Sequence, residues 1–341
     1  MRILIATDAW HPQINGVVRS IEALAREACR FGAEVELLTP EGFRSVGMPT
    51  YPGIRLAFVT ARAAADRIAA VDADHVHIAT EGPIGHAARR ACLRSGRLFT
   101  TSYHTSFPDY LAARFPVPRS WSYAWLRWFH NAGAGVMVST ESVARELQRH
   151  GFERVMRWSR GVDHEMFRPR GESVLDLPRP IFLYVGRLAV EKNIDAFLSL
   201  TLPGSKVLAG DGPARGELEA RFPDATFLGV HTGEDLARIY ASADVFVFPS
   251  RTDTFGIVLL EALASGLPVA AYPVQGPRDV IGDSAAGVLS EDLGLACRQA
   301  LAVPRETARA LAMTFTWASS ARQFLDNVLD VRALASLPPH G

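Results

Sequence analysis

Cysteine is scarce in this chain: three residues in 341, Cys29, Cys92 and Cys297, with an odd count and no CxxC spacing. That excludes a disulfide framework and a cysteine-rich metal knuckle, and it fits a reducing compartment. Each cysteine lies in an apolar helical pattern and is expected to be a core thiol. Long hydrophobic runs are missing as well. No window reaches the roughly twenty apolar residues that a membrane span requires. The opening run "MRILIATDAW" stops near Asp8, too short for a signal peptide or an anchor. These absences point to a cytoplasmic protein, any contact with the inner face of a membrane being left to a local patch. Excess charge is a third absence. Lys and Arg total 36, as do Asp and Glu, so no bulk field selects nucleic acid or an acidic partner. The fourth is a GxGxxG pattern after the first strand: the loop "TDAWHPQINGVVRS" carries Gly16 alone, which weakens a dinucleotide-binding reading.

What is present is an alternation of strands and helices. Hydrophobic residues make up 48% and charged residues 21%, ordinary for a globular chain, and the length suggests two domains. In the first half, "RILIAT", "AEVELLTP", "IRLAFV", "DHVHIA", "RLFTTSYH" and "GVMVST" read as strands. "VVRSIEALAREACRFG", "GPIGHAARRACLRSG" and "ESVARELQRHG" read as helices, as does a segment near residues 121–131. Continuous apolar strands joined by helices indicate parallel sheets covered on both faces. The pattern breaks near Phe167 at the proline- and arginine-rich "RPRGESVLDLPRP" and restarts at "IFLYVGR". The expected class is therefore α/β, with two doubly wound domains, 1–168 and 169–316, and a helical tail from about 317 that packs on one or the other. No internal repeat goes beyond this two-fold architecture.

Open α/β sheets bind ligands beyond the carboxyl ends of their strands, so the informative residues follow strands. "SRTDTFGIVLLEALASGLPV" places Asp253 just before an apolar helix and Glu261 inside it. A buried carboxylate without a partner is costly, so Glu261 either pairs with a base or faces a pocket. "GRLAVEKN" places Arg187 and Lys192 between a strand and a helix, a fork-shaped and a point cation suited to a diphosphate; Glu191 between them offers a surface salt bridge instead. Asn15-Gly16 either presents amides to an anion or is an ordinary cap. Gly210 in "AGDGP" makes a tight turn, structural or open to close backbone approach. His104 ends "TTSYH", where it bonds a substrate oxygen, moves a proton, or is merely satisfied in its loop; His77 reads as core. Taken together these stations suit a nucleotide sugar. Arg187, Lys192 and Gly16 would grip a diphosphate and Asp253 and Glu261 would take one ring each. Phe255, Gly256, Ile257 and Val258 would lie at a helix N-terminus near the phosphates.

The segments "DAWHPQINGVV", "SYHTSFPDYL", "RGVDHEMFRP", "YVGRLAVEKN", "AGDGP" and "PSRTDTFGIVLLEALASGLPV" resemble the family-4 retaining glycosyltransferases with the GT-B fold, nearest to the branch that glycosylates lipids with sulfoquinovosyl, glucosyl, glucuronosyl or mannosyl groups. The resemblance spans essentially the whole chain. It implies two Rossmann-like domains facing across a cleft, the tail crossing back to the first. It also implies hexosyl transfer with retention from UDP-glucose, UDP-glucuronate or GDP-mannose to a hydroxyl of an acceptor such as diacylglycerol or phosphatidylinositol, without a metal or a cofactor beyond the donor substrate. Arg187 and Lys192 would hold the diphosphate and the Gly16 loop would close over it. His104 would lie near the reacting sugar, Asp253 would take the place of the first of the motif's two glutamates and bind sugar hydroxyls, and Glu261 would bind the ribose. "GAEV" with Ala33 departs from the family's GHEV at a helix–strand turn.

Trp121, Trp125 and Trp128 recur at i, i+4 and i+7, on one helix face, with Arg114, Arg119 and Arg127 nearby. Such a face suits either a membrane interface next to an acyl-bearing acceptor or packing in the core. Rival functions are a nucleotide-sugar epimerase or hydrolase of the same fold, a glycoside hydrolase using the two carboxylates, and a non-catalytic sensor of sugar nucleotides.

Overall fold

A computed structural model of the chain describes residues 1–13, 15–48, 51–104 and 118–336. The chain separates into two compact units, one made of Met1–Arg160 and the tail from Trp317, the other of Gly161–Thr316. Residues 161–168, assigned to the first domain from sequence, belong to the second unit. Val162 and Phe167 are buried in its core, and Val162 bridges to Thr316 where the unit closes.

The first unit is built on a six-stranded parallel sheet. Its strands are β1 (Arg2–Ala6), β2 (Glu34–Leu38), β5 (His75–Ile78), β6 (Phe99–Tyr103), β7 (Val136–Val138) and β8 (Val155–Arg157), in the order β2-β1-β5-β6-β7-β8. Two further strands, β3 (Ser45–Met48) and β4 (Tyr51–Ala57), form a separate antiparallel ribbon. "IRLAFV", expected as a parallel strand, therefore lies in a hairpin. Only residues 49 and 50 separate β3 from β4, far short of the dozen or so that a parallel crossover needs. The helix Gly16–Ala28 ends through a 3₁₀ turn at Gly32, whose φ of 72° suits a residue without Cβ. Cys29 starts that turn and is exposed, contrary to the expected core thiol, because the helix's apolar stripe has already run out; Cys92 and Cys297 are buried.

The tail returns as the helix Trp317–Ser336 and packs within the first unit. Ala321, Phe324, Leu325 and Val328 are buried there with Ile3, Ile5, Ile21, Leu24 and Trp158. Trp158 is fully buried, its ring centroid 5.0 Å from that of Phe324, and its indole N–H donates to Ser320 Oγ at 3.1 Å.

The second unit has a parallel sheet of β9 (Ile181–Val185), β10 (Ser205–Ala209), β11 (Thr226–Gly229), β12 (Val245–Phe248), β13 (Val269–Ala271) and β14 (Gly287–Leu289), in the order β11-β10-β9-β12-β13-β14. β9 and β12 are wholly buried, which is why they read as unbroken apolar runs. The strand order reverses between β9 and β12, and the carboxyl ends at such a switch point are where open α/β sheets place a ligand crevice. Among the described residues no helix is long and apolar enough to cross a membrane.

Replacing Phe324 with Ala should cost about 3–5 kcal/mol, the usual range for emptying a buried aromatic site. The loss should appear as a lower denaturant midpoint for the first unit, with the second unit's transition unmoved. A common shift of both transitions would contradict separate cores.

Candidate active site

The loop after β9 and the loop after β12 meet at the second sheet's switch point. Gly186 leaves β9 with φ 151°, and Tyr184 donates its phenol to the Arg187 carbonyl at 2.9 Å. Arg187 forms an ion pair with Glu191, whose side chain is 5% exposed, so the salt bridge foreseen as an alternative does form. A 3₁₀ turn, Val190–Lys192, then presents Lys192, and Asn193, at φ 54°, donates its side-chain amide to the Pro249 carbonyl at 3.1 Å. That bond ties the first loop to the second. Across it, Lys192 Nζ lies 2.5 Å from Asp253 Oδ1.

Burial pushes the Asp253 carboxyl upward, but the Lys192 ammonium, hydrogen bonds from Lys192 and Ser250, and the charge of Arg187 hold it below its ordinary 3.8. The glycine-rich turn after β10 braces the same place. A Cβ on Gly210 would lie 1.9 Å from the Gly186 carbonyl oxygen, and one on Gly212 would lie 2.3 Å from that of Leu188. Leu188 N donates to the Asp211 carbonyl at 2.9 Å. The close approach at Gly210 is thus to the Arg187 loop.

Gly256 turns into the helix Ile257–Ala264 with φ 82° and no side-chain cap. Phe255 is buried in the core, while Ile257 and Val258, at the helix mouth, are partly covered. Glu261 is 2% exposed and accepts from the Tyr240 phenol at 3.0 Å. The sequence left open a base or a pocket as the partner of Glu261, and the bond seen here is from a neutral hydroxyl. Asp253 and Glu261 therefore differ, one held by a cation at the crevice and one held in the interior.

In the first unit, Asn15 caps the helix Gly16–Ala28: its Oδ1 accepts from Val17 N and Val18 N, each at 3.0 Å. Two of the amides that an anion would use are satisfied by this cap. Asp8, unremarked in the sequence beyond ending the first strand, anchors the neighbouring loop. It accepts from Thr80 Oγ1 and Ile84 N at 2.8 Å and from Gly85 N at 3.3 Å, and burial raises its pKa. A Cβ on Gly82 would fall 2.4 Å from its Cγ. His77 is a core residue, between Thr100 Oγ1 at 2.9 Å and Ser102 Oγ at 2.8 Å. His104 Nδ1 lies 2.9 Å from an Arg160 nitrogen. Asp8, Tyr240 and Arg160 escaped the sequence reading, since each acts through a partner remote along the chain, and Ser250 went unnoticed although it lies only three residues before Asp253.

The tryptophan segment forms the helix Arg119–His130, with Tyr123, Leu126 and Phe129 buried. Trp121, Trp125 and Trp128 are 72%, 38% and 54% exposed, so this face is not core. Arg89 lies over the Trp128 ring at 3.9 Å, and Arg90, Arg94, Arg119 and Arg127 are exposed on the same two helices, Pro83–Ser95 and Arg119–His130, neither of which contains an acid. Arg114 lies outside the described residues.

Two Rossmann-type parallel sheets in one chain are the architecture of the GT-B glycosyltransferases. The model for Glycosyltransferase Family 4 matches residues 14–166 and that for Glycosyl transferases group 1 matches residues 179–302. The chain is 32% identical over 326 residues to the GDP-mannose-dependent alpha-mannosyltransferase of Mycobacterium tuberculosis, covering 85% of this chain and 83% of that one. It is 27% identical to the alpha-monoglucosyldiacylglycerol synthase of Streptococcus pneumoniae, covering 88% and 78%. The fold is shared with sucrose-phosphate synthase of Thermosynechococcus elongatus, with TM-score 0.80, 19% identity and coverage of 98% and 99%. The chain belongs to glycosyltransferase family 4 and is an enzyme that transfers a sugar from a nucleotide sugar.

Replacing Lys192 with Ala should raise the Asp253 pKa, because burial then loses its main opponent. In the native chain, where the folded pKa lies below 3.8, the ionised carboxylate adds stability above the unfolded value, and this is lost as pH falls through the lowered one. In the variant a pKa above 3.8 would reverse the sign, so stability would fall as pH rises through that region. Carboxyl-carbon NMR titration reads the shift directly, and an unmoved Asp253 would refute the pairing.

Proposed function

We propose that this enzyme transfers mannose, with retention at the anomeric carbon, from GDP-mannose to a hydroxyl of a lipid acceptor. The observation that carries the donor half is the group of charges at the switch point: Arg187 with Glu191, and Lys192 with Asp253. In the free enzyme each cation is neutralised by a carboxylate. A diphosphate offers both cations a stronger, doubly charged partner, and as Lys192 turns to it Asp253 is released to accept from sugar hydroxyls. Cations placed where charge develops on the leaving diphosphate supply electrostatic stabilisation, the effect that often dominates catalysis. Retention requires no enzymic nucleophile here: the acceptor attacks from the face the diphosphate leaves, and a donor phosphate oxygen takes its proton. Glu261, oriented by Tyr240, takes the ribose hydroxyls, and His104 bonds the transferred sugar. The choice of GDP-mannose rests on similarity to the mycobacterial mannosyltransferase, and the lipid acceptor on similarity to the glucosyldiacylglycerol synthase.

The exposed tryptophan face supports the acceptor half. Tryptophan at the water–lipid boundary, flanked by arginine with no acid on either helix, suits an interface carrying anionic headgroups. The first unit would thereby rest on the bilayer from which the acceptor comes.

A thermal-shift screen of GDP-mannose, UDP-glucose and UDP-glucuronate, followed by mass spectrometry of lipid extracts incubated with the best donor, tests the reading. GDP-mannose at about a hundred times its Kd should stabilise the protein by about 2.7 kcal/mol. Arg187→Ala should lower kcat by about a hundredfold or more. Stabilisation by a uridine donor alone would move the donor assignment, and donor binding without any glycosylated lipid would remove the acceptor.

Co-sedimentation with vesicles of anionic and zwitterionic lipid checks the membrane contact. Binding should fall with added salt and in a chain carrying both Trp125→Ala and Arg127→Ala. Equal partitioning of the variant and the parent would discard it.

A further inference from the structure

Arg160 is 4% exposed, and the charged neighbour acting on it is another cation, Arg157. Its Nη1 donates to the carbonyls of Trp158 at 2.6 Å and Ser159 at 3.0 Å, and its guanidinium carbon lies 4.2 Å from the centroid of the Trp158 ring. Burial lowers its pKa to about 9, which still leaves it charged at neutral pH. Its Nη2 lies 2.9 Å from His104 Nδ1.

A guanidinium has only donors. Across this contact the imidazole must accept, so Nδ1 carries a lone pair and the neutral ring's single proton is on Nε2. Protonating Nδ1 would set two positively charged donors against each other inside the protein.

We propose that Arg160 is a positioning residue of the transfer reaction: it holds His104 as the neutral Nε2–H tautomer, so that the imidazole donates a hydrogen bond to an oxygen of the transferred sugar and does not act as a proton acceptor. This rests on the reading that His104 meets that sugar. Burial first, then the charges of Arg160, His77 and His130, hold His104 well below its ordinary 6.5, which keeps the ring neutral at physiological pH. The Trp158 ring, edge-on to His104 at 5.6 Å, packs against both members of the pair. It is itself fixed by the tail: Ser320 Oγ receives the indole N–H and donates to the Ser159 carbonyl at 2.8 Å, and Gln323 Oε1 accepts from Ser159 N at 2.6 Å. The returning helix thus reaches His104 through Trp158 and Arg160, and tautomer selection gives that return a chemical consequence beyond packing.

The test uses the full chain labelled with ¹⁵N-histidine. Two-bond nitrogen–proton spectra distinguish the tautomers, and His104→Gln assigns the signals by their loss. In the parent, His104 should show a proton on Nε2 alone and should not titrate across the physiological range. Arg160→Met should mix the tautomers, raise the His104 pKa toward 6.5, and lower kcat for GDP release from GDP-mannose by about tenfold or more, with little change in the donor KM. Arg160→Lys keeps a charged donor and should retain the Nε2–H form; a purely structural loss would move the thermal midpoint of both variants and leave the tautomer alone. An unchanged tautomer in Arg160→Met overturns the lock. A released tautomer with unchanged kcat overturns the catalytic role. If His104→Ala turns over normally, or the parent does not use GDP-mannose, the functional reading beneath the proposal fails, while the spectra still decide the lock.

Discussion

The bond between Lys192 and Asp253 is the contact on which the proposed donor site depends. It joins the loop after β9 to the loop after β12, on either side of the sheet's switch point. Two opposite charges held across that gap, with the Asn193 amide on the Pro249 carbonyl beside them, keep a crevice formed without filling it with apolar side chains. The pair is partly exposed, so its worth in stability is modest. In the proposed donor site its value would lie in readiness, each partner being placed to exchange its counter-ion for a ligand group.

The glycines explain how the backbone permits this. Gly210 and Gly212 bring the turn after β10 against the Gly186–Leu188 backbone at distances a Cβ would forbid. The Arg187 loop is therefore supported from beneath by main chain. The proposed pyrophosphate grip would need cations at set positions more than a glycine-rich phosphate cradle, in keeping with the missing GxGxxG.

The first unit manages polarity differently. β6 is buried along its whole length, although four of its five residues are hydroxyl-bearing. Thr100 and Ser102 bond His77, and Thr101 lies 2.8 Å from His130, whose other nitrogen lies 3.1 Å from Glu81. Each buried imidazole thus has hydroxyl or acid partners, which offsets the desolvation that would otherwise make such a strand costly. In a chain of balanced charge, the helices Pro83–Ser95 and Arg119–His130 contain no acid, and the second carries three exposed tryptophans.

Much of this was written in the chain order. Apolar runs alternating with helices determined two α/β halves, and the placement of Arg187, Lys192 and Asp253 after strands marked the crevice, because strand ends are positions along the chain. The i, i+4, i+7 spacing of the tryptophans defined a face but not its direction, which depended on whether Tyr123, Leu126 and Phe129 or the indoles met the sheet. Tertiary structure alone decided that Asp253 pairs with Lys192, that Glu261 meets Tyr240, that Asp8 holds the loop at Ile84, and that Trp158 links the tail to Arg160 and His104. Periodicity is a local property of the backbone and survives in one dimension. A buried charge finds its partner only after folding has brought together residues dozens to hundreds of positions apart.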